Sequence, residues 1–350
     1  MMARHVWIAL LTLCATLWFA SFQASASNKS GPHHGKPTPT ATVKPTATAT
    51  AKPTSTATAT ATASATPTST ATSGSIKTVF LILMENHNWS SISGASDAPY
   101  INSLVTGANN AQTSYATQYY NPPNNHPSLP NYLWLEGGQC YSYCGTDNNP
   151  GALITSAHLT TLLTNAGISW KAYEEGTTDG TCPTANSGEY AVRHDPYMYF
   201  QDVAGNTSVC TSHVRSYGDL STDLANNTVA RYNFITPNLC DDMHDSCSPT
   251  NDPVKQGDTW LSNQIPMIEN SQAYKNGGAI FITWDEAASG DGPIGMIVLS
   301  PLARGHGYNN AIHYTHSSTL RTMEEIFHVS PMLGDAQNAT DLSGLFATFP

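Results

Sequence analysis

Charge is scarce in this chain: only 11% of its 350 residues are Asp, Glu, Lys or Arg, and cations are the rarer sign, 14 against 25. The first 74 residues hold five of those cations and no acid, so residues 75–350 carry nine basic and 25 acidic groups, a net charge of −16. A surface that must neutralise nucleic-acid phosphates is disfavoured by that balance. Long apolar runs are also missing after the first twenty residues, and no later segment approaches the roughly 20 apolar residues of a membrane span. No Pro/Gly/Ser-rich linker interrupts residues 75–350, a length that suits one large α/β domain or two small ones.

The two N-terminal segments read differently. Residues 1–26 combine a basic start (Arg4, His5), an apolar run from Val6 to Ala20 and the small-residue pattern Ala24-Ser25-Ala26, which together make an export signal, with an uncleaved anchor as the alternative. Residues 27–74 are almost wholly Thr, Ala, Pro, Ser and Lys and have no periodic apolar positions, so they cannot build a core. A disordered stalk is expected, with a reach on the order of 150 Å if polyproline-like, serving as a tether on the cell envelope or a glycosylated tail. The expected location is extracytoplasmic, either secreted or envelope-attached.

Seven cysteines less Cys14 in the signal leave Cys140, Cys144, Cys182, Cys210, Cys240 and Cys247. An even number in an exported chain implies three disulfides, and close spacing makes Cys140–Cys144, Cys182–Cys210 and Cys240–Cys247 the simplest pairing. A zinc site would want tighter Cys/His pairing.

Five short, continuous apolar runs read as buried strands: KTVFLILM (77–84), ISWKAY (168–173), ARYNFI (230–235), GAIFITW (278–284) and GMIVLS (295–300). Helical stretches alternate with them (APYINSLVT, HLTTLLTNAG, GDTWLSNQIPMIENS, SSTLRTMEEIF), which predicts a three-layer α/β/α sandwich around a mostly parallel sheet. Polar groups follow the first four strands: Glu85-Asn86-His87, Glu174-Glu175, Thr236-Pro237-Asn238 leading to CDDMHD, and Asp285-Glu286. Ligands of open α/β sheets bind beyond the carboxyl ends of the strands, so these groups should gather along one edge. Glu85, Asp285 and Glu286 are hard oxygen ligands, and carboxylates buried together repel one another unless a divalent cation neutralises them. An all-oxygen shell leans to Mg²⁺, Mn²⁺ or Ca²⁺ without excluding Zn²⁺.

In NNHPSLPNYLWLEGG, Ser128 stands between Pro127 and Pro130 and opens a stretch of helix formers that ends in Gly137-Gly138. The serine is either a helix cap or a nucleophile. A neighbouring metal would lower the pKa of its hydroxyl, and the helix N-terminus it begins would attract an anion such as phosphate.

MENHNW, HPSLPNY, TPNLCDDMHD, TWDE and THSSTLRTMEEIF, taken in order over residues 77–328, resemble the phosphoesterase family of secreted acid phosphatases and phospholipases C in the alkaline phosphatase superfamily. The resemblance implies an alkaline phosphatase-like fold, Ser128 as nucleophile, and Glu85, Asp285 and Glu286 as metal ligands. It places Asn86 in the metal or phosphate shell and Asn131 near the phosphate oxygens. His244 and Asp245 fall where members keep a phosphate-facing histidine, His194 lies in a further family segment (RHDPYMYF), and His316 is a looser match. The expected function is an exported, metal-dependent acid phosphatase that hydrolyses small phosphomonoesters through a phosphoserine, with one or more divalent ions as cofactor. Two alternatives are a phospholipase C-type phosphodiesterase, which would show an apolar lip beside the site, and a non-catalytic envelope or glycan-binding protein.

Overall fold

The computed structural model describes residues 74–350, and the expected export signal and stalk lie outside that range apart from Gly74. Ten strands run through it: β1 (Thr78–Met84), β2 (Thr113–Ala116), β3 (Tyr119–Tyr120), β4 (Trp170–Glu174), β5 (Val214–Ser216), β6 (Tyr232–Thr236), β7 (Gly278–Trp284), β8 (Met296–Leu299), β9 (Tyr308–Asn310) and β10 (Tyr314–Thr315). Eight form one sheet in the order β5-β4-β6-β1-β7-β8-β2-β9, and β3 pairs with β10 apart from it. The expected runs appear as β1, β4, β6, β7 and β8. Every residue of β1, β6, β7 and β8 is buried, as a sheet covered by helices on both faces requires.

Strand β8 alone runs against its neighbours, antiparallel to both β7 and β2. The link from Trp284 to Met296 contains no helix, so the chain turns back beside β7 instead of crossing over to run parallel. The three strands the sequence did not announce in this sheet, β2, β5 and β9, are three or four residues long and lie toward its edges, where short polar segments such as YNN suffice.

The helix Ser128–Gly137 packs against the last long helix, His316–Phe327, and Trp134 Nε1 donates to Ser317 Oγ across the contact at 2.8 Å. It stops as its sequence suggests. Gly138 adopts φ +67°, its N–H returns to the Trp134 carbonyl at 2.8 Å, and a Cβ there would meet the Leu333 carbonyl oxygen at 2.7 Å. The three disulfides are those expected from spacing: Cys140–Cys144, Cys182–Cys210 and Cys240–Cys247. None of the described helices is long and apolar enough to cross a membrane.

Candidate active site

The carboxyl ends of the central strands set the site. Glu85 follows β1 directly, and its N–H donates to the Asp242 carbonyl at 2.7 Å; Asp285 follows β7, and its N–H donates to the Met84 carbonyl at 2.9 Å. These two backbone bonds hold Glu85, Asp242 and Asp285 side by side, and all three side chains are fully buried. Asp242 reaches this place by way of a turn in which Asn238 Oδ1 accepts from the N–H groups of Cys240 and Asp241. His194 completes the group: its Nε2 lies 3.3 Å from Glu85 Oε1 and its Nδ1 3.4 Å from Asp242 Oδ2. Glu85, His194 and Asp242 bring ligand atoms within 4.8 Å of one another, a spacing that could hold a metal ion.

Electrostatics at this cluster is unfavourable as it stands. Burial pushes the Glu85 carboxyl well up, and the Asp285 charge adds to the rise; Asp285 is raised by burial and by Glu286, and Asp242 by burial and by Glu85. Burial pushes His194 down, and so do the charges of Arg193 and His244. Both Asp285 carboxylate oxygens, Asp242 Oδ2 and His194 Nε2 are buried without a hydrogen-bond partner. Orphaned buried groups of this kind are rare and costly. A divalent cation of the kind the family resemblance implies would neutralise Glu85 and Asp242 and take His194 as a ligand, so these three residues fit it. The imidazole changes the expected all-oxygen shell and widens the fit toward zinc, manganese or iron.

Ser128 is the first residue of its helix and lies almost buried beside this cluster. The N-cap is Pro127, with no side-chain cap bond, so the capping role considered from sequence is absent. Instead Ser128 Oγ donates to Glu85 Oε2 at 3.0 Å, while Tyr132, one turn on, donates to Glu85 Oε1 at 2.6 Å.

The other expected residues each have defined partners. Glu286 is buried next to Asp285, whose carboxyl its charge raises, and its Oε2 lies 2.5 Å from His126 Nδ1. Asn131 is fully buried and internally committed: it donates to the Asn125 and Pro127 carbonyls at 2.8 and 3.2 Å and accepts from Asn125 Nδ2, which fixes the turn ahead of Ser128. Its remaining contact is with Glu286 Oε2 at 3.3 Å. His316 is also buried, between the Asp285 carbonyl (2.5 Å from Nε2) and the Tyr119 hydroxyl (3.0 Å from Nδ1), and burial pushes it down to about 4. It positions Asp285. Asp245 holds His244 Nδ1 at 2.7 Å, and Nε2 of that ring faces Arg193 Nη2 at 3.3 Å. Glu174 and Glu175 brace the loop after β6, accepting from Thr236 Oγ1 and from the Asn238 N–H.

Asp242, Arg193, His126 and Tyr132 were not singled out. A guanidinium next to His194, in a domain with only nine cations, was the available signal for Arg193. A polar cleft of about 390 Å³ opens beside the cluster, lined by Asn86, Asn124, His126, Glu286, Ser289 and Asp291, with two alanines as its apolar members. His126 Nε2 is 3.0 Å from Asp291 Oδ1 at its rim.

The Phosphoesterase family profile matches residues 96–330. Phosphatidylinositol-3-phosphatase of Mycobacterium tuberculosis is 30% identical over 277 residues, covering 77% of this chain and 82% of that protein. A probable acid phosphatase of Kluyveromyces lactis is 25% identical over 77% of this chain and 65% of its own length. Human ectonucleotide pyrophosphatase/phosphodiesterase 5 superposes with a TM-score of 0.50 at 10% identity, over 78% of this chain and 100% of that one. A protein of the alkaline phosphatase superfamily from Vibrio parahaemolyticus gives 0.49 at 9% identity, over 75% and 69%. At 10% identity the likeness to the human protein is one of fold, in agreement with the architecture expected. With a profile match over more than half its length and a relative of this similarity and coverage, the chain belongs to the Phosphoesterase family.

Proposed function

We propose that this hydrolase of phosphoric esters is an extracytoplasmic, metal-dependent phosphatase of small monoesters, and that Ser128 is its nucleophile. The observation that carries the reading is the Ser128 hydroxyl on Glu85 Oε2, at the edge of a buried group in which Glu85, His194 and Asp242 stand at metal-ligand spacing and the buried Asp285 follows the neighbouring strand. Those four residues would hold the metal. Glu286 and Asn86 stand at the cleft side of the site, and His126 fixes Glu286. When bound, the cation lowers the pKa of the serine hydroxyl and offsets charge on the phosphoryl group.

The chain's own groups divide the remaining work. Glu85 Oε2 holds the Ser128 proton and so aims a lone pair of Oγ away from the carboxylate. A new Oγ–P bond forms as Ser128 gives its proton to Glu85 Oε2 and the bond from phosphorus to the leaving oxygen breaks on the opposite side, and the departing alcohol takes its proton from solvent. Arg193, with His244 beside it and Asp245 behind, supplies positive charge for the phosphoryl oxygens. Water then cleaves the phosphoserine, returning Ser128 and releasing phosphate.

Support for a monoester comes from the relatives' names, both phosphatases, and from the cleft, whose lining is mostly polar. Support for export comes from the three disulfides together with the signal-like N-terminus. The test is turnover of 4-nitrophenyl phosphate with and without chelator: the reading expects hydrolysis that chelator abolishes and added divalent metal restores. Full hydrolysis after exhaustive chelation contradicts it.

A further inference from the structure

The helix Ser128–Gly137 has few free donors at its N-terminus. Pro127 and Pro130 carry no N–H, which leaves the N–H groups of Ser128 and Leu129. Among the described residues nothing accepts from the Ser128 N–H, but the Leu129 N–H is taken: it donates to Asp147 Oδ1 at 2.9 Å. The other oxygen of the same carboxylate, Oδ2, lies 3.7 Å from Arg193 Nε. A carboxylate therefore sits between a guanidinium and a helix N-terminus, on the N–H of the residue that follows the serine. A phosphoryl group arriving at Ser128 wants the same donors.

Asp147 is no incidental surface group. Its loop is pinned on both sides: Cys144 is tied to Cys140, the Thr146 N–H donates to the Tyr143 carbonyl, and the Tyr199 hydroxyl donates to the Asn148 carbonyl at 3.1 Å. The carboxylate is about one-third exposed and Arg193 about one-sixth, so solvent reaches the pair and an incoming anion can too. Its charge is felt at Glu286, and that of Arg193 at Glu85 and Asp242, which puts both within electrostatic reach of the cluster.

Resting on the phosphoesterase reading of this site, we propose that Asp147 is a specificity-determining residue that occupies the phosphoryl position as an internal anion, competing with substrate and product phosphate for the Leu129 N–H and Arg193. Its negative charge weakens binding of a dianionic phosphate and thereby speeds release of the product. Asp147→Asn keeps an acceptor for the Leu129 N–H and removes the charge, so it separates competition from local support.

The experiment is calorimetric titration of the full-length protein as purified with inorganic phosphate, in wild type and Asp147→Asn, with Asp147→Ser as the second variant should Asn fail to fold. The Kd for phosphate should fall roughly twofold to fivefold, the size of one partly exposed charge–charge interaction. The KM for 4-nitrophenyl phosphate should fall with it. An unchanged or raised Kd overturns the proposal, including the case in which only the thermal midpoint drops, which marks Asp147 as a structural brace. Turnover by wild type with no tightening in the variant removes the internal anion and leaves the phosphoesterase reading standing. Tightened phosphate binding without turnover in wild type does the reverse.

Discussion

Side chains with one clear physical role illustrate what residue-level chemistry contributes here. His158 is fully buried and bracketed by two carboxylates, with Nδ1 2.9 Å from Glu136 Oε2 and Nε2 3.1 Å from Asp202 Oδ1. Glu136 also accepts from the Tyr197 hydroxyl at 2.9 Å. Burial opposes the charged ring, but the hydrogen bonds to Asp202 and Glu136 outweigh it and raise the histidine; burial likewise opposes charge on Asp202, and the His158 bond overcomes it and holds that carboxyl down. The raised histidine contributes stability that is fully present below its unfolded value near 6.5 and is lost as pH rises through the folded value. The depressed aspartate contributes above about 4 and fails as pH falls. Thermal midpoints measured across pH should therefore decline from about pH 6.5 upward, and His158→Gln should flatten that part of the decline while costing about 2–4 kcal/mol where the wild type is most stable. Parallel curves for the two proteins would show that the bracket carries no proton-linked stability. At this same scale, Glu85 and Asp285 were legible because each is the first residue past a buried strand. Asp242 was not, since a turn built on Asn238 decides which of the acids in CDDMHD faces inward.

Elements follow the sequence where local pattern and tertiary burial agree. Continuous apolar runs became the central strands, and Gly138 ended the serine's helix. Where tertiary contacts supply what the local sequence lacks, the sequence is silent. The helix Pro99–Val105 has Ala98 at its N-cap, whose side chain cannot accept a bond, and its first donors are met by Asp258 from the long helix Pro253–Asn270: Oδ2 accepts from Tyr100 N–H at 3.0 Å and Oδ1 from Ile101 N–H at 2.8 Å. A cap borrowed across 157 positions leaves no local signature. Asp258→Ala should lower stability by roughly 1–2 kcal/mol in denaturant unfolding, as loss of an ordinary N-cap does, while turnover of the folded protein is retained. A loss below about 0.3 kcal/mol would mean that water replaces the cap at no cost. The antiparallel direction of β8 escaped notice for a related reason, because burial on both faces looks the same in either direction.

The whole molecule adds constraints that no element carries alone. Its disulfides close loops of different length, and the cysteines of Cys182–Cys210 are 28 residues apart against 4 and 7 for the other two pairs. Removing the long bridge should cost roughly 3–4 kcal/mol and a short one about 2 kcal/mol, measured as unfolding of single Cys-pair-to-Ser variants. Equal losses would show that native-state strain, and not chain entropy, sets their value. The site is likewise a whole-molecule product: Glu85, Ser128, His194, Asp242 and Asp285 lie on separate segments and meet only where β1, β6 and β7 end together. That convergence gives the central claim a direct test, acid quench of full-length protein during turnover of 4-nitrophenyl phosphate followed by mass spectrometry of the peptide containing HPSLPNY. The account predicts phosphate covalently attached to Ser128, and no label and turnover lower by about 10³-fold or more in Ser128→Ala, whose stability loss stays near the 1 kcal/mol of one hydrogen bond. Undiminished turnover by Ser128→Ala would contradict it.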